Sequence, residues 1–345
     1  MSNHGDPLVV AVIASFGKNL SRLNLAIESI RLHTSYPNLK IVVVDNSSLG
    51  ILSNLNLVDE VIWTGINLGH VGALEYVRKS YDFEYLWTLQ DDMTILNDVL
   101  EILLNELTQN SKVGVASPVL LRNGVIPAFT RGGIFTDRQN LKWTNIPEKD
   151  IKPELLTLNS DLCFVAGSGA LWRKKALDDI SGFDLDLYPL THADFDTCFR
   201  LRQRNWNLSL LTNAHITHEM NGSTVKILNQ TLVNINENII RGKFLSGENA
   251  KKDYTHELDK DLLFAILKKS SHLFLEISSK AQEEIEQLED KNKAIEKEYL
   301  ESLTITKEYQ ILNDRLVNSN SWKITRPLRK ICTYFKFKQK SVMLD

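Results

Sequence analysis
The chain has 345 residues, 43% of them hydrophobic and 24% charged, enough for one large core plus an appendage. Its 40 Lys+Arg against 43 Asp+Glu leave a formal charge of −3, so no basic field points to nucleic acid. Cys163, Cys198 and Cys332 are odd in number, scattered and without CxxC spacing, which argues against a disulfide framework or a zinc site and predicts structural thiols in a reducing compartment.

The first seven residues lack a basic region, and the apolar run over 8–16 is too short to cross a bilayer. No other segment reaches about 18 apolar residues, so a cytoplasmic location is expected. Short apolar runs then alternate with amphipathic stretches. Strands are predicted over 8–15, 39–44, 60–64, 85–89 and 113–120, and helices over 21–33, 70–81 and 96–107. Continuous apolar strands separated by helices imply a mainly parallel sheet covered on both faces.

The turn after the first strand, Ala14-Ser-Phe-Gly-Lys-Asn-Leu20, has one glycine where a dinucleotide fingerprint needs three, and no P-loop pattern follows. The second strand ends in Val44-Asp45-Asn46-Ser47-Ser48, where Asp45 either hydrogen-bonds a base or ribose or forms an Asx-turn. In Asn67-Leu-Gly-His-Val-Gly-Ala73, glycines before a helix either let amides approach a phosphate or make a tight turn, with Gly72 easing helix packing. The run Tyr85-Leu-Trp-Thr-Leu-Gln-Asp-Asp-Met93 stops on paired carboxylates. A buried strand ending this way delivers acids to the sheet edge where α/β proteins bind ligands, and paired carboxylates there suit a divalent metal holding a phosphate. The alternative is a helix start, with Asp91 or Asp92 capping the segment 94–107.

The order of these motifs resembles the family 2 glycosyltransferases, inverting GT-A enzymes, and among them bacterial rhamnosyl- and galactofuranosyl-transferase-like members. The resemblance covers about residues 8–223. It implies a nucleotide-sugar site containing Ser15, where Ser15-Phe16-Gly17 replaces the family's Thr-Tyr-Asn, together with Asp45, Asn67, Gly69, Gly72 and Asp91. Leu89-Gln-Asp-Asp-Met93 is similar to the family's Asp-x-Asp motif with Gln90 in the first acidic place, which implies Asp92 as ligand of Mg2+ or Mn2+.

Farther on, Phe164-Val-Ala-Gly-Ser-Gly-Ala-Leu-Trp-Arg-Lys-Lys175 and Ile180-Ser-Gly-Phe-Asp184 resemble the acceptor-side strand and Gly-Phe-Asp turn. Gly167 and Gly169 either accommodate a sugar ring or mark a bulge. His192-Ala-Asp-Phe-Asp-Thr-Cys-Phe-Arg-Leu-Arg202 is similar to the family's Glu-Asp-x-Asp helix start, with Ala193 replacing the Glu, and it implies Asp194 as general base. The alternative has Asp194 capping the helix. Asp196 is expected to pair with Arg200 four residues on, and Asn205 to take the left-handed position after the helix. After a strand over 208–211, His218 followed by Gly222-Ser223 resembles the family's late histidine, which implies a second metal ligand.

The domain expectation is a GT-A catalytic domain over 1–225, a packed helical extension over 226–275, a coiled coil over 276–320 and a basic aromatic tail over 321–345. Residues 276–320 lack Pro and Gly, and a seven-residue frame catches Leu288, Ile295, Tyr309 and Leu316 along with polar positions. They read either as a coiled coil making a homo-oligomer or as a solvated helix hairpin. The tail carries seven Lys/Arg among Trp322, Tyr334, Phe335 and Phe337 as far as Lys340, suiting an anionic membrane surface on the inner face of the cell membrane, or a protein partner.

The leading functional expectation is transfer of a sugar from dTDP-rhamnose or a UDP-sugar to a lipid-linked glycan of a bacterial surface polysaccharide such as O-antigen or capsule. A silent GT-A scaffold, with Gln90 and Ala193 as losses, is the alternative. A nicotinamide oxidoreductase is disfavoured by the missing glycine fingerprint.

Overall fold
The computed structural model describes residues 5–47, 49–122, 125–129, 132–137, 142–145, 162–189, 191–219, 226–245, 260–319, 323 and 325. The chain divides into two compact units, 1–275 and 276–345.

The core of the first unit is a sheet built on Val9–Ser15 (β1), which pairs in parallel with Leu39–Asp45 (β2) on one side and Tyr85–Gln90 (β4) on the other. Glu60–Trp63 (β3) extends it beyond β2, also in parallel. β1, β2 and β4 read as continuous apolar runs because both faces are covered, and successive side chains serve different cores. Val10 and Val12 join Val42, Val44 and Leu86 in one buried cluster, whereas Val9, Ala11 and Ile13 join Ile41, Val43, Trp87 and Leu89 in another. Gly69–Ser80 (α2) buries Val71, Ala73 and Val77 in the first cluster. Leu20–His33 (α1) and Val99–Gln109 (α3) bury Leu23, Ile27, Ile30, Leu100, Leu103 and Leu107 in the second. Each buried Val, Leu or Ile among them contributes about 1.5–3 kcal/mol.

On the other half of the sheet, Val113–Arg122 (β6) pairs in parallel with Asn207–His218 (β12). The described order is β3-β2-β1-β4-β11-β6-β12-β5, with Met93–Ile95 as β5, Leu171–Arg173 as β11, and Val125–Phe129 (β7) attached to β6. The sheet is mainly parallel, as expected, with β11 inserted antiparallel between β4 and β6, and with β5 and β7 added antiparallel to β12 and β6. Gly132–Asp137 (β8), Lys142–Asn145 (β9) and Leu162–Val165 (β10) form a small antiparallel sheet. Lys174–Asp179 (α4) and Ala193–Gln203 (α5) complete the segment after β11.

One expectation is corrected here. Residues 93–95 are not the start of a helix capped by Asp91 or Asp92. They form β5 because β12 offers a free edge, and α3 begins at Val99. Helix α5 ends as expected, with Asn205 at φ 62° and the Trp206 N–H reaching back to Leu201 O.

Lys226–Leu245 (α6) buries Leu232 and Ile240, and its Phe244 ring lies 5.1 Å from Phe199 of α5. Lys260–Asn318 (α7) is one continuous helix, without the turn a hairpin over 276–320 would need. Among the described residues no helix is long and apolar enough to cross a membrane. The tail expected at 321–345 lies, apart from Lys323 and Thr325, outside the described residues.

Candidate active site
Strand β4 sets the site. It ends on Gln90, and the next two residues turn the chain into β5, so Asp91 and Asp92 stand at the carboxyl edge of the parallel strands. The register of β5 against β12 places His218 opposite Met93. That pairing brings His218 Nε2 to 3.2 Å from Asp92 Oδ1, with both side chains 6% exposed. Burial works to raise the Asp92 carboxyl, but the hydrogen bond and charge of the His218 imidazole outweigh it and hold Asp92 below the usual carboxylate value. The Glu219 N–H donates to Asp92 O at 3.1 Å and fixes the end of β12 to the same turn.

Asp91 points the other way. The Ser15 hydroxyl at the end of β1 donates to Asp91 Oδ2 at 2.6 Å, and Arg22 lies 3.7 Å from Oδ1. Burial, together with the Asp92 charge, raises the Asp91 carboxyl despite those two partners. Adjacent carboxylates thus have opposite environments: one faces an imidazole, the other a hydroxyl and a guanidinium.

Asp194 lies in the first turn of α5, facing the loop between β10 and β11. Its Oδ2 accepts the Gly167 N–H at 3.2 Å and its Oδ1 accepts the N–H of Phe195 at 2.9 Å. The N-cap position belongs to His192, so Asp194 is not the cap. A Cβ at Gly167 would stand 2.9 Å from Asp194 Cβ, so the loop needs a glycine to approach the acid. The loop itself is anchored on β4: Thr88 Oγ1 donates to Gly167 O, the Trp172 indole donates to Thr88 Oγ1 at 3.0 Å, and the Trp87 indole donates to Gly169 O at 3.0 Å. One strand therefore carries the acid pair and supports the loop that holds Asp194. Asp196 pairs with Arg200, as expected, and is fully buried.

The expected nucleotide side is organised by internal bonds. Asp45 is 1% exposed, and its two oxygens accept the N–H groups of Ser47 and Leu52 at 2.8 Å each, the Asx-turn alternative. Asn67 Oδ1 accepts the Gly69 N–H at 2.7 Å. The amides that open α2 have protein acceptors: Leu68 N–H on Asn46 Oδ1 at 3.0 Å, and His70 and Val71 N–H on Pro189 O at 2.7 and 3.2 Å. The amides at the start of α2 are thus hydrogen-bonded within the protein itself. Gly69, at φ 62°, lets Pro189 pack close, since a Cβ would sit 2.7 Å from Pro189 O. Gly72 admits Ile266 of α7, whose Cδ1 would be 2.9 Å from an added Cβ.

Two residues of the site were not singled out in the sequence. His70, in the first turn of α2, lies within electrostatic reach of both Asp194 and His218. Burial lowers its imidazole below the usual value, the His218 ring adding to the effect and the Asp194 carboxylate opposing it. It sits inside the glycine motif, but its type alone gave no reason to choose it. Asn46, 4% exposed, ties β2 to α2 through Leu68 N–H and through its own amide to Gly69 O at 3.1 Å. The Asn-Ser-Ser turn signal pointed to that position without showing its partner.

Among the described residues no group of three or more His, Cys, Asp or Glu side chains is gathered for a metal. Asp92 and His218 still fit one as an O/N pair. The His218 Nε2 that bonds Asp92 would face a metal held between them, with the ring proton moved to Nδ1, which is buried and has no hydrogen-bond partner. Mg2+ and Mn2+ bound with substrate phosphates need only one or two protein groups, and an imidazole favours Mn2+.

Residues 11–181, about half of the chain, match the family described as glycosyl transferase family 2. No curated protein matches the chain in sequence. Among solved structures, the crystal structure of GalNAc-T7 with UDP, GalNAc and Mn2+ aligns with 76% of this chain at 14% identity and a TM-score of 0.52. The alignment spans 55% of that protein's chain, and the likeness is one of fold, the GT-A fold.

Proposed function
The chain carries a glycosyl transferase family 2 domain on a GT-A fold, and from that premise we propose that it is an inverting, metal-dependent enzyme moving a sugar from a nucleotide donor to a glycan hydroxyl. One observation carries the reading: Asp92 and His218 meet at 3.2 Å on the sheet edge, with His70 in electrostatic reach of both His218 and Asp194. Asp194 accepts the proton of the acceptor hydroxyl as its oxygen attacks the anomeric carbon. The bond from that carbon to the diphosphate breaks, and the electron pair leaves with the nucleoside diphosphate. The amides of Gly167 and Phe195 orient Asp194 for this. Asp92 and His218 would hold Mn2+ or Mg2+, which when bound neutralises charge on the departing diphosphate. Ser15, hydrogen-bonded to Asp91 and paired in register with Asp45, joins this pair to the Asp45 turn, where the nucleoside would lie.

The donor is a UDP-sugar or dTDP-rhamnose and the acceptor a lipid-linked glycan of surface polysaccharide synthesis. UDP in the GalNAc-T7 structure makes uridine donors the first to try. Exposed Leu288, Ile295, Tyr309 and Leu316, at multiples of seven residues on α7, support a coiled coil between copies. The basic aromatic segment 321–345 would bring the enzyme to an anionic inner membrane surface.

A second reading, a silent scaffold, is favoured by Gln90 and Ala193, which stand where the family carries acids. Incubation with UDP- and dTDP-sugars, Mn2+ and lipid extract separates the two. A new glycolipid of inverted anomeric configuration supports the enzyme. Donor binding without turnover on any acceptor supports the scaffold.

A further inference from the structure
The loop that delivers Asp194 is strained and is held from outside the matched region. Thr191 and His192 are consecutive non-glycine residues in the left-handed region, at φ 78° and 59°. A β-branched residue rarely adopts it, and such a conformation persists only where its surroundings impose it. The imposing group is Asn236 of α6, 1% exposed. Its amide donates to Thr191 O at 3.0 Å, Thr191 Oγ1 at 3.0 Å and Leu187 O at 3.2 Å. With two hydrogens for three acceptors, one hydrogen is shared. These bonds grip the backbone and side chain of Thr191 together and tie them to Leu187 on the other side of the loop.

The consequence reaches Asp194 through the start of α5. The Asp196 N–H donates to His192 O at 3.0 Å, so the first turn of the helix is built on the strained residue. Relaxation of Thr191 and His192 to negative φ would rotate that carbonyl and re-aim the turn holding Asp194. Helix α6 has anchors of its own in buried Leu232 and Ile240 and in Lys243, which pairs with Asp184 and Asp196. Loss of the Asn236 amide therefore leaves the helix docked.

We propose that Asn236 is a positioning residue for Asp194, holding Thr191 and His192 in the left-handed conformation that aims the carboxylate at the acceptor side. The inference rests on the reading of Asp194 as the base. Two measurements keep their failures apart. The first needs no substrate: amide hydrogen exchange in the first turn of α5, in wild type and Asn236→Ala. Exchange of the Asp196 amide is expected to speed up at least about tenfold while amides of α2 and β4 are unchanged. In a Thr191→Gly background, where glycine takes φ 78° without strain, the added effect of Asn236→Ala is expected to fall below about threefold. No speeding in Asn236→Ala, or the same speeding in the Thr191→Gly background, overturns the proposal.

The second measurement is nucleoside diphosphate release from UDP- or dTDP-hexose with Mn2+, comparing Asn236→Ala, Asp194→Asn and the double variant. A fall of kcat of about tenfold or more at little-changed donor KM, with no further loss in the double variant beyond Asp194→Asn, is expected. Full turnover in Asp194→Asn removes the base assignment. An inactive Asp194→Asn beside a fully active Asn236→Ala removes only the positioning role, as does an additive further loss in the double variant.

Discussion

His218 stands 3.2 Å from Asp92 because His218 is the cross-strand partner of Met93, the residue that follows Asp92. A three-residue strand thus turns two positions 126 apart in sequence into neighbours. The contact depends on the β5–β12 register, since a slip of one residue would turn His218 to the other face of the sheet.

Asp92→Ala and His218→Ala are expected to fold and to lose metal-dependent donor binding. Loss of either direct ligand is expected to cost at least the roughly 10–100-fold in Mn2+ affinity that loss of an outer-shell partner costs. Circular dichroism checks folding, and turnover titrated with Mn2+ checks the loss. Near-normal turnover in Asp92→Ala would refute its role.

Gly167→Ala places a methyl 2.9 Å from Asp194 Cβ. The loop is bonded to Thr88 and Trp87, with Thr88 held in turn by the Trp172 indole, and cannot retreat freely, so Asp194 moves instead. The expected result is a destabilisation of about 1–3 kcal/mol, with kcat falling more than donor affinity. Urea unfolding and steady-state kinetics measure the two parts. A variant with full kcat shows that Asp194 is not aimed by this loop.

His70 gives the metal-free protein a pH dependence. Burial depresses its folded-state value, so the native state keeps the imidazole neutral while the unfolded chain takes up a proton near about 6.5. Between those values the unfolded state binds more protons, so stability rises with pH and is lost as pH falls below about 6.5. Melting temperatures in EDTA from pH 7.5 to 5 should decline, and His70→Gln should flatten that part of the curve. An identical decline in both proteins sinks this assignment.

Exposed Leu288, Ile295, Tyr309 and Leu316 on α7 are expected to carry self-association. Light scattering on the full chain should give a mass above 39.3 kDa, returning to that value when Ile295 and Leu316 become Lys. A monomeric wild-type chain at tens of micromolar contradicts the coiled coil.

Much of the fold was legible because β1, β2 and β4 are buried on both faces and so appear as unbroken apolar runs. Asp91 and Asp92 were legible for the same reason, as carboxylates ending such a run. Strand β5 was not, because three residues hold too little periodicity to separate from a helix start, and the segment 164–175 read as one strand although it breaks into the end of β10 and β11. Asp45 and the glycines at α2 were recognised as a turn with an open alternative. Only the tertiary structure showed which acceptors their amides find: Asn46, Asn67 and Pro189. Asn236 left no trace in the sequence, since one Asn on an amphipathic helix looks like any polar position until Thr191 is seen against it.

The central claim, a metal-dependent nucleotide-sugar site at Asp92 and His218, is tested most directly by thermal unfolding of the wild-type chain and Asp92→Ala with UDP-, dTDP- and GDP-sugars, each in Mn2+ or EDTA. A ligand at 100 times its Kd stabilises the native state by about 2.7 kcal/mol, a readily measured rise in melting temperature. The account predicts a rise for one nucleotide class that needs Mn2+ and disappears in Asp92→Ala. A rise of equal size in EDTA, or one retained by Asp92→Ala, would contradict it.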